Sequence, residues 1–279
     1  MFSAAVAWVI ASAFLHAGWN ALVRREPQVR AATLVVLLLA TVGALLTAIF
    51  RGSPPLSGPA LYWALGSALC EGLYVIGLAR SLEVAPLGLA YSVSRGTGLL
   101  WVWPLAVVFQ HERVSAIGVV ASGLVLGGVV TAGSRPNELR LSRGAGWALL
   151  AGVGAGFSNP CIRQSLLEGA DPLQVFAFSL GLGLIPAVLL LGVGPGALAK
   201  LAVSRWKTLG LAGLLCFGSY ALFLLALQSE GAALGTTLRN CSIAFALLLS
   251  WWAGEPPTAR QWLGTAAVLL GATLLALGL

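Results

Sequence analysis

Apolar residues follow one another along the chain in ten long stretches, without the alternation that a half-buried strand shows. Each stretch approaches the roughly 20 residues that an α-helix needs to cross the hydrocarbon core of a bilayer. Clusters of Gly, Pro and charged residues separate the stretches, which fall at about 3–23, 31–50, 60–80, 87–109, 114–133, 144–165, 172–194, 206–227, 232–252 and 259–278. The pattern predicts an all-α integral membrane protein with ten transmembrane helices, numbered here as spans 1–10, and excludes the strands of a membrane barrel.

Composition supports this interpretation. Of the 279 residues, 58% are hydrophobic and 9% are charged, whereas a soluble domain carries about 25% charged residues. The stretches fill nearly the whole chain, so we expect no separate soluble domain. Arg and Lys residues of the loops explain the net charge of +7, and no nucleic-acid partner is expected.

Two spans begin with local helix-start signals. Asp171-Pro172 combines a helix-capping residue with a proline at the first helical position. Thr258 and Gln261 have the three-residue spacing of a capping box. We therefore expect spans 7 and 10 to begin at these residues.

The two halves of the chain resemble each other in the order of their polar and aromatic residues. An offset of 139 residues aligns Trp8 with Trp147, Asn20 with Asn159 and Arg24 with Arg163. An offset of 146 aligns a C-x-G-x-Y motif at 70–74 with one at 216–220, and an offset of 144 aligns Arg95 with Arg239. This common order predicts two five-helix repeats, 1–133 and 144–279, joined by the polar linker 134–143. Because five is odd, the repeats must be inverted relative to each other, which places a substrate site near the membrane midplane.

Short motifs before the last span of each repeat extend the comparison: His111-Glu112-Arg113, and Gly254-Glu255-Pro256 followed by a helix containing Gly264 and Gly271. Together with the duplicated five-span pattern, these residues resemble the EamA-type branch of the drug/metabolite transporter superfamily over nearly the whole chain. The resemblance implies ten inverted-repeat helices, secondary transport and a location in the bacterial inner membrane. Members of the branch move amino acids, drugs or sugar phosphates, so it does not indicate the solute.

Three charged residues fall inside predicted spans: Glu71, Arg95 and Arg239. A charge at the bilayer centre costs from about 2.5 to more than 10 kcal/mol, so each should face a cavity or a partner. Arg95 and Arg239 occupy equivalent positions of the two repeats, and inverted symmetry brings them toward one axis. They either line a central cavity, or Glu71 forms a structural ion pair with one of them.

Polar and aromatic residues recur at helical spacing around these charges. The predicted substrate-binding set lies on spans 1, 3, 4, 6, 8 and 9 and comprises Glu71, Arg95, Arg239, His16, Trp19, Asn20, Tyr74, Tyr91, Asn159, Tyr220 and Asn240. For Asn20 and Asn159 a hydrogen bond between helices is an equal alternative, and Trp19 and Tyr74 also suit packing. Glu71 and, less readily, His16 are candidates for carrying a proton.

Other polar residues have plainer interpretations. Glu112 and Glu255 precede helix starts, where an acidic group interacts favourably with the helix dipole. Cys70, Cys161, Cys216, Cys241 and the two histidines lack the spacing of a metal site or a disulfide, so no metal or cofactor is expected. Basic residues concentrate in loops 1–2, 3–4, 5–6, 7–8 and 9–10, which predicts a cytoplasmic location for these loops and outward-facing termini. The family resemblance more often implies termini inside.

Taken together, the sequence predicts alternating-access transport of a small polar metabolite. Two arginines against one glutamate leave the centre positively charged, which favours an anionic or zwitterionic solute such as an amino acid, a phosphorylated metabolite or a phosphonate. One alternative is a proton-coupled exporter of drugs or other cations that uses Glu71. A second is an intramembrane lipid-modifying enzyme with His16 and Glu71 as acid and base. Expected partners are the solute, the bilayer and protons, and the chain is expected to be a monomer or a weak homodimer.

Overall fold

A computed structural model describes residues 4–110, 116–133, 143–229, 232–252 and 254–277. These residues form twelve α-helices and no strand, which confirms the predicted all-α class. The helices are α1 Ala4–Arg24, α2 Val29–Phe50, α3 Gly58–Val84, α4 Leu87–Gln110, α5 Ala116–Gly133, α6 Arg143–Leu167, α7 Pro172–Leu191, α8 Pro195–Ser204, α9 Trp206–Ser229, α10 Ala232–Arg239, α11 Cys241–Trp252 and α12 Ala259–Leu277.

Six of the helices in the described residues are long and apolar enough to cross a bilayer: α1, α2, α3, α4, α7 and α9. The apolar helix α5 is slightly shorter. Large apolar side chains on their outer faces are exposed, as expected for surfaces in contact with lipid; Leu69 and Leu189, for example, are 76% and 74% exposed. The chain is therefore an integral, multi-pass membrane protein.

The helices differ from the predicted pattern in two segments. The segment before span 8 contains a further helix, α8, which begins at Pro195 after Gly192 has ended α7 in the left-handed conformation. Span 9 was expected to be continuous from 232 to 252, but it is divided at Asn240 into α10 and α11. At the break, the backbone N–H of Asn240 donates to the carbonyl of Thr237 (3.0 Å), three residues back, so the regular helical ladder is interrupted.

Both helix-start predictions are confirmed. The Asp171 carboxylate accepts hydrogen bonds from the backbone N–H groups of Leu173 (2.9 Å) and Gln174 (3.2 Å) at the start of α7. Before α12, the Gln261 side chain accepts from the Thr258 N–H (2.8 Å), and the Thr258 hydroxyl accepts from the Gln261 N–H (3.3 Å). Glu112 and the linker residues 134–142 lie outside the described residues.

Helices of the two halves pack against each other in matching pairs. The contact of α3 with α6 matches that of α9 with α1. The contact of α4 with α6 matches that of α10 and α11 with α1. The contact of α3 with α7 matches that of α9 with α2. α2 also contacts α7, and α5 contacts α12. The sequence comparison aligns α1 with α6, α2 with α7, α3 with α9, α4 with α10 and α11, and α5 with α12. When each helix is replaced by its aligned counterpart, these packed pairs stay the same.

Glycine permits the closest of these approaches. A Cβ atom at Gly154 of α6 would lie only 2.5 Å from the backbone nitrogen of Tyr74 in α3. A Cβ atom at Gly128 of α5 would lie 2.6 Å from the carbonyl oxygen of Gly264 in α12, and the reverse distance is also 2.6 Å. The α3–α6 contact brings Glu71 and Tyr74 against the polar residues of α6.

Candidate functional site

A buried arginine, Arg239, lies at the end of α10 beside the helix break. Its side chain is only 3% exposed. Nη2 donates to the Ser219 hydroxyl (3.2 Å) and lies 3.1 Å from Nδ1 of His16. The guanidinium carbon is 4.0 Å from the ring centre of Phe223 and 5.1 Å from that of Tyr220. The partners of this cation are thus neutral hydrogen-bonding groups and aromatic faces.

His16 is the acceptor that links Arg239 to α1. Its Nδ1 also faces Nε1 of Trp19, which donates across 3.3 Å. Because guanidinium and indole N–H groups only donate hydrogen bonds, Nδ1 acts as the acceptor in this arrangement. The imidazole makes edge-on ring contacts with Tyr91 (5.9 Å) and Tyr220 (6.1 Å). Four elements, α1, α4, α9 and α10, therefore meet at one imidazole ring.

A second set of hydrogen bonds joins α1 to α4. The Asn20 amide donates to the Tyr91 hydroxyl (2.6 Å) and to the His16 carbonyl (2.8 Å). The Tyr91 hydroxyl in turn donates to the same carbonyl (2.7 Å). Asn20 therefore makes the contact between helices that was one of its two predicted roles, and it also fixes the turn of α1 that carries His16.

Arg95 lies on α4, one turn beyond Tyr91, and its guanidinium carbon is 5.9 Å from the Tyr91 ring centre. Its Nη2 atom is buried and has no hydrogen-bond partner among the described residues. Tyr91 also contacts the His16 ring (5.9 Å between ring centres), and His16 is the partner of Arg239. The two arginines therefore lie on either side of the His16–Tyr91 contact.

Glu71 lies on α3 and is 4% exposed. Its Oε1 atom accepts a short hydrogen bond from the Ser158 hydroxyl (2.6 Å), which is itself 3.0 Å from the Ser67 hydroxyl. Oε2 has no hydrogen-bond partner, and Glu71 forms no ion pair, within the described part of the chain. The structure thus places a serine, rather than Arg95 or Arg239, on this carboxylate.

The remaining predicted residues surround the same centre. The Asn159 amide donates to the Thr236 hydroxyl (3.3 Å), which joins α6 to α10. Tyr220 stacks on Phe176 of α7 at 4.6 Å, and the Tyr74 hydroxyl is buried without a hydrogen-bond partner among the described residues. Asn240 is fully buried at the helix break, and both polar atoms of its side chain lack a partner among the described residues.

These side chains form a cluster, which we call the central site, contributed by α1, α3, α4, α6, α9 and α10 together with the break at Asn240. His16, Asn20, Glu71 and Arg239 are each less than 5% exposed, whereas Arg95 is partly exposed. A cavity of about 440 Å³ lies elsewhere, between the outer faces of α3 and α7, and its lining is apolar.

Three hydroxyl groups of the central site were not predicted from the sequence: Ser67, Ser158 and Ser219. Ser219 lies inside the second C-x-G-x-Y motif, directly before Tyr220, and Ser158 directly precedes Asn159. For Ser158 and Ser219, the position next to a predicted residue is the signal in the sequence that could have identified them. For Ser67, the signal is its position one helical turn before Glu71. Ser12, one turn before His16 on α1, donates to the Ser219 carbonyl (2.7 Å).

A separate ionic contact lies at one end of the bundle. Arg24, at the end of α1, forms a salt bridge with Glu255 (2.8 Å) in the segment between α11 and α12. Glu255 also accepts from the backbone N–H of Leu87 at the start of α4 (3.3 Å). The predicted helix-end role of Glu255 is thus fulfilled at α4 rather than at α12, because the fold places the α4 N-terminus and Arg24 beside its carboxylate.

Arg163, which the sequence comparison aligns with Arg24, lies in the last turns of α6. Its guanidinium donates to the carbonyl of Leu227 and to that of Gln228 (2.9 Å) at the end of α9. Both arginines thus bind a neighbouring element near the C-terminal end of their own helix.

Comparison with known proteins gives three findings. Residues 142–277 match the family model described as the EamA-like transporter family. No curated protein matches the sequence. A crystal structure of another protein has the same fold, with a TM-score of 0.70 and 18% sequence identity over 99% of this chain and 98% of the other.

Proposed function

Because the chain belongs to the EamA-like transporter family, whose model matches its second half, we propose that it is a secondary transporter of a small anionic or zwitterionic metabolite. Amino acids, phosphorylated metabolites and phosphonates have suitable chemistry. In this proposal the solute binds at the central site and reaches each face of the membrane in turn.

The proposed transmembrane arrangement has ten spans in two inverted repeats, at 1–133 and 144–279. α1 to α5 form the first repeat. In the second, α6, α7, α9 and α12 each form one span, while α10 and α11 together form the broken span 9. The exchangeable packing pairs of the two halves support this arrangement, which leaves α8 as a short helix outside the repeat.

The observation that carries the proposal is a pair of arginines that have no carboxylate partner among the described residues. Arg239 is almost fully buried against His16, Ser219 and two aromatic rings, and Arg95 has a buried N–H group for which the described part of the chain provides no acceptor. A buried charge without a counter-ion is costly in an environment of low dielectric constant. An anionic group of the solute, placed between Arg95 and Arg239, supplies the missing counter-charge.

Glu71 extends the proposal to zwitterionic solutes. Its Oε2 atom is buried and lacks a partner among the described residues, so it is available to an amino group or another hydrogen-bond donor. A solute with an anionic group and a cationic group would satisfy the arginines and Glu71 at the same time. The three side chains together leave one net positive charge, which favours anions over cations.

The end contacts of the bundle suggest how access is controlled. The Arg24–Glu255 salt bridge ties α1 to the segment before α12, and Arg163 binds the end of α9. Because most side chains of the central site are buried, we assign the described arrangement to an occluded state. Opening toward the face that carries Arg24 requires separation of Arg24 from Glu255.

Flux measurements on liposomes test the proposal. Purified protein is reconstituted and tested with labelled amino acids, sugar phosphates and phosphonates, with and without a pH gradient. We expect saturable uptake of one anionic or zwitterionic class above that of protein-free liposomes. If correctly folded protein moves none of these solutes, the proposal is wrong.

A proton-coupled exporter of cations is the second candidate, and the environment of Glu71 favours it. Its buried carboxylate is hydrogen-bonded by Ser158 and is not neutralised by an arginine among the described residues. If the protein is such an exporter, the Arg95→Gln variant should transport a lipophilic cation as fast as the wild type does. For an anion or zwitterion carrier, the same substitution should sharply reduce transport.

A further inference from the structure

We propose that α8 and the first turn of α9 form a binding surface for anionic phospholipid headgroups. This surface, called here the α8 surface, consists of Lys200, Val203, Trp206 and Lys207. It lies outside the central site, and its proposed role does not depend on which solute is transported.

The α8 surface is amphipathic and faces away from the bundle. On the inner side of α8, Leu201 is buried and packs into the core together with Leu198 and Ala202. On the outer side, Val203 is 76% exposed and Trp206 is 64% exposed. Large apolar side chains at a helix end suit the boundary between headgroups and acyl chains, where tryptophan is enriched.

Two lysines supply the charge. Lys200 and Lys207 flank the exposed apolar residues in the sequence, are themselves exposed, and form no ion pair among the described residues. The Nζ atom of Lys207 lies 5.7 Å from the ring centre of Trp206, so its charge is held at the aromatic side chain. Lysines beside an interfacial apolar surface complement the phosphates of anionic lipids.

Neighbouring basic residues differ from these lysines because carboxylates already bind them. Arg24 pairs with Glu255, and Arg30 and Arg80 both approach Glu83. These two carboxylates offset two of the three positive charges, whereas no carboxylate among the described residues pairs with Lys200 or Lys207, whose charge remains available to a lipid phosphate.

Arg205 fixes the orientation of the surface. It contacts the Glu26 carboxylate (3.5 Å) in the segment between α1 and α2, so the corner between α8 and α9 is held against the bundle. The corresponding connection of the first half, residues 51–57 between α2 and α3, contains no helix. The α8 surface therefore belongs to one half of the molecule, and a lipid bound there would contact a single membrane face.

Lipid retention tests this proposal on the full chain. Wild-type protein and the Lys200→Gln/Lys207→Gln variant are equilibrated with equimolar phosphatidylglycerol and phosphatidylcholine in detergent. Native mass spectrometry then gives the ratio of the two lipids retained by each protein. Removal of two lysines from a membrane surface should lower the preference for phosphatidylglycerol about tenfold.

Two further variants make the result specific. Lys200→Arg/Lys207→Arg keeps both charges and should retain the wild-type preference. Arg51→Gln removes an exposed basic residue at the opposite end of α2 from Glu26 and should also retain it. An unchanged preference in the double glutamine variant, or an equal loss in Arg51→Gln, would overturn the proposal. Because the experiment measures lipid binding, its result does not depend on whether the protein transports the proposed solute.

Discussion

Nη2 of Arg239 lies 3.1 Å from Nδ1 of His16, and this contact joins α10 in the second half of the chain to α1 in the first. Trp19 donates to the same nitrogen (3.3 Å) and Ser219 accepts from the same guanidinium group (3.2 Å). The contact therefore orients both the imidazole and the guanidinium without neutralising the charge of Arg239. Any movement that separates the halves at the central site has to change these hydrogen bonds.

Replacement of His16 by leucine should impair transport because it removes the acceptor for Arg239. Loss of a hydrogen bond to a buried charged group costs about 1.5–3 kcal/mol, so we expect kcat/KM for uptake to fall about tenfold or more. The measurement is the initial rate of uptake into liposomes over a range of solute concentrations.

Two variants separate the role of the His16 acceptor from helix packing. His16→Asn can keep an acceptor near the position of Nδ1 and should retain more activity than His16→Leu. Phe14, on the same helix, is 54% exposed, and Phe14→Leu should behave as the wild type. Equal activity of His16→Leu and the wild type would show that the Arg239–His16 contact does not contribute to transport.

Glu71 is predicted to couple transport to protons. Glu71→Gln keeps an acceptor for the Ser158 hydroxyl (2.6 Å in the wild type) but removes the ionisable group. We expect a pH gradient to stimulate uptake by the wild type but not by Glu71→Gln, while exchange of an anionic solute without an amino group, which does not need Glu71 for binding, continues. The control is Glu168→Gln, because Glu168 is exposed. Persistence of the stimulation in Glu71→Gln would exclude Glu71 as the proton carrier.

The Arg24–Glu255 salt bridge is predicted to close the path to one membrane face. Arg24→Glu and Glu255→Arg each place like charges together and should favour opening, whereas the double substitution restores a pair. Buried Cys216 next to the central site can report opening through its rate of thiol labelling when Cys70, Cys161 and Cys241 are replaced by alanine. Partly exposed ion pairs contribute at most about 1 kcal/mol, so we expect roughly threefold faster labelling in each single variant.

Restoration of slow labelling in the double variant is the specific outcome expected for a direct ion pair. If both single variants label at the wild-type rate, the salt bridge does not limit access to the site. If the double variant labels as fast as the single variants, the two residues act separately.

Gly154 is predicted to be required for the close α3–α6 contact. In Gly154→Ala the new Cβ atom would lie 2.5 Å from the Tyr74 nitrogen, and the overpacking should cost about 1–3 kcal/mol. The melting temperature of the purified protein should fall by several degrees. Gly146, on the same helix, has no atom within 4 Å of its Cβ position, so Gly146→Ala should leave the melting temperature unchanged or slightly raised. Equal melting temperatures would contradict the prediction.

The sequence predicted the features that depend on local patterns. Apolar periodicity indicated membrane-spanning helices, and capping chemistry correctly located the helix starts at Asp171 and Thr258. The match between Arg95 and Arg239 predicted that both would lie toward one axis, and in the structure Arg95 is near Tyr91 while Arg239 contacts His16, the ring neighbour of Tyr91.

The features that were missed depend on contacts between distant segments. Residues 232–252 contain no proline, and their polar residues Thr236, Arg239 and Asn240 were assigned to one continuous helix, so the break between α10 and α11 was not predicted. Spacing along α3 places Glu71 in a span, but the rotation of α3 against α6 determines that Ser158 faces its carboxylate. Glu255 likewise binds the start of α4, and only the packing of the two halves brings these residues together.

Counterflow in proteoliposomes tests most directly whether Arg95 and Arg239 bind an anionic solute. The solute is the one that the wild type moves fastest in the metabolite panel, and the compared variants are Arg95→Gln, Arg239→Gln and, as a control at a membrane surface, Arg51→Gln. We predict at least a tenfold loss of counterflow for both central variants, at an unchanged amount of folded protein, and wild-type counterflow for Arg51→Gln. Counterflow of an anionic solute at the wild-type rate in both Arg95→Gln and Arg239→Gln would contradict the assignment.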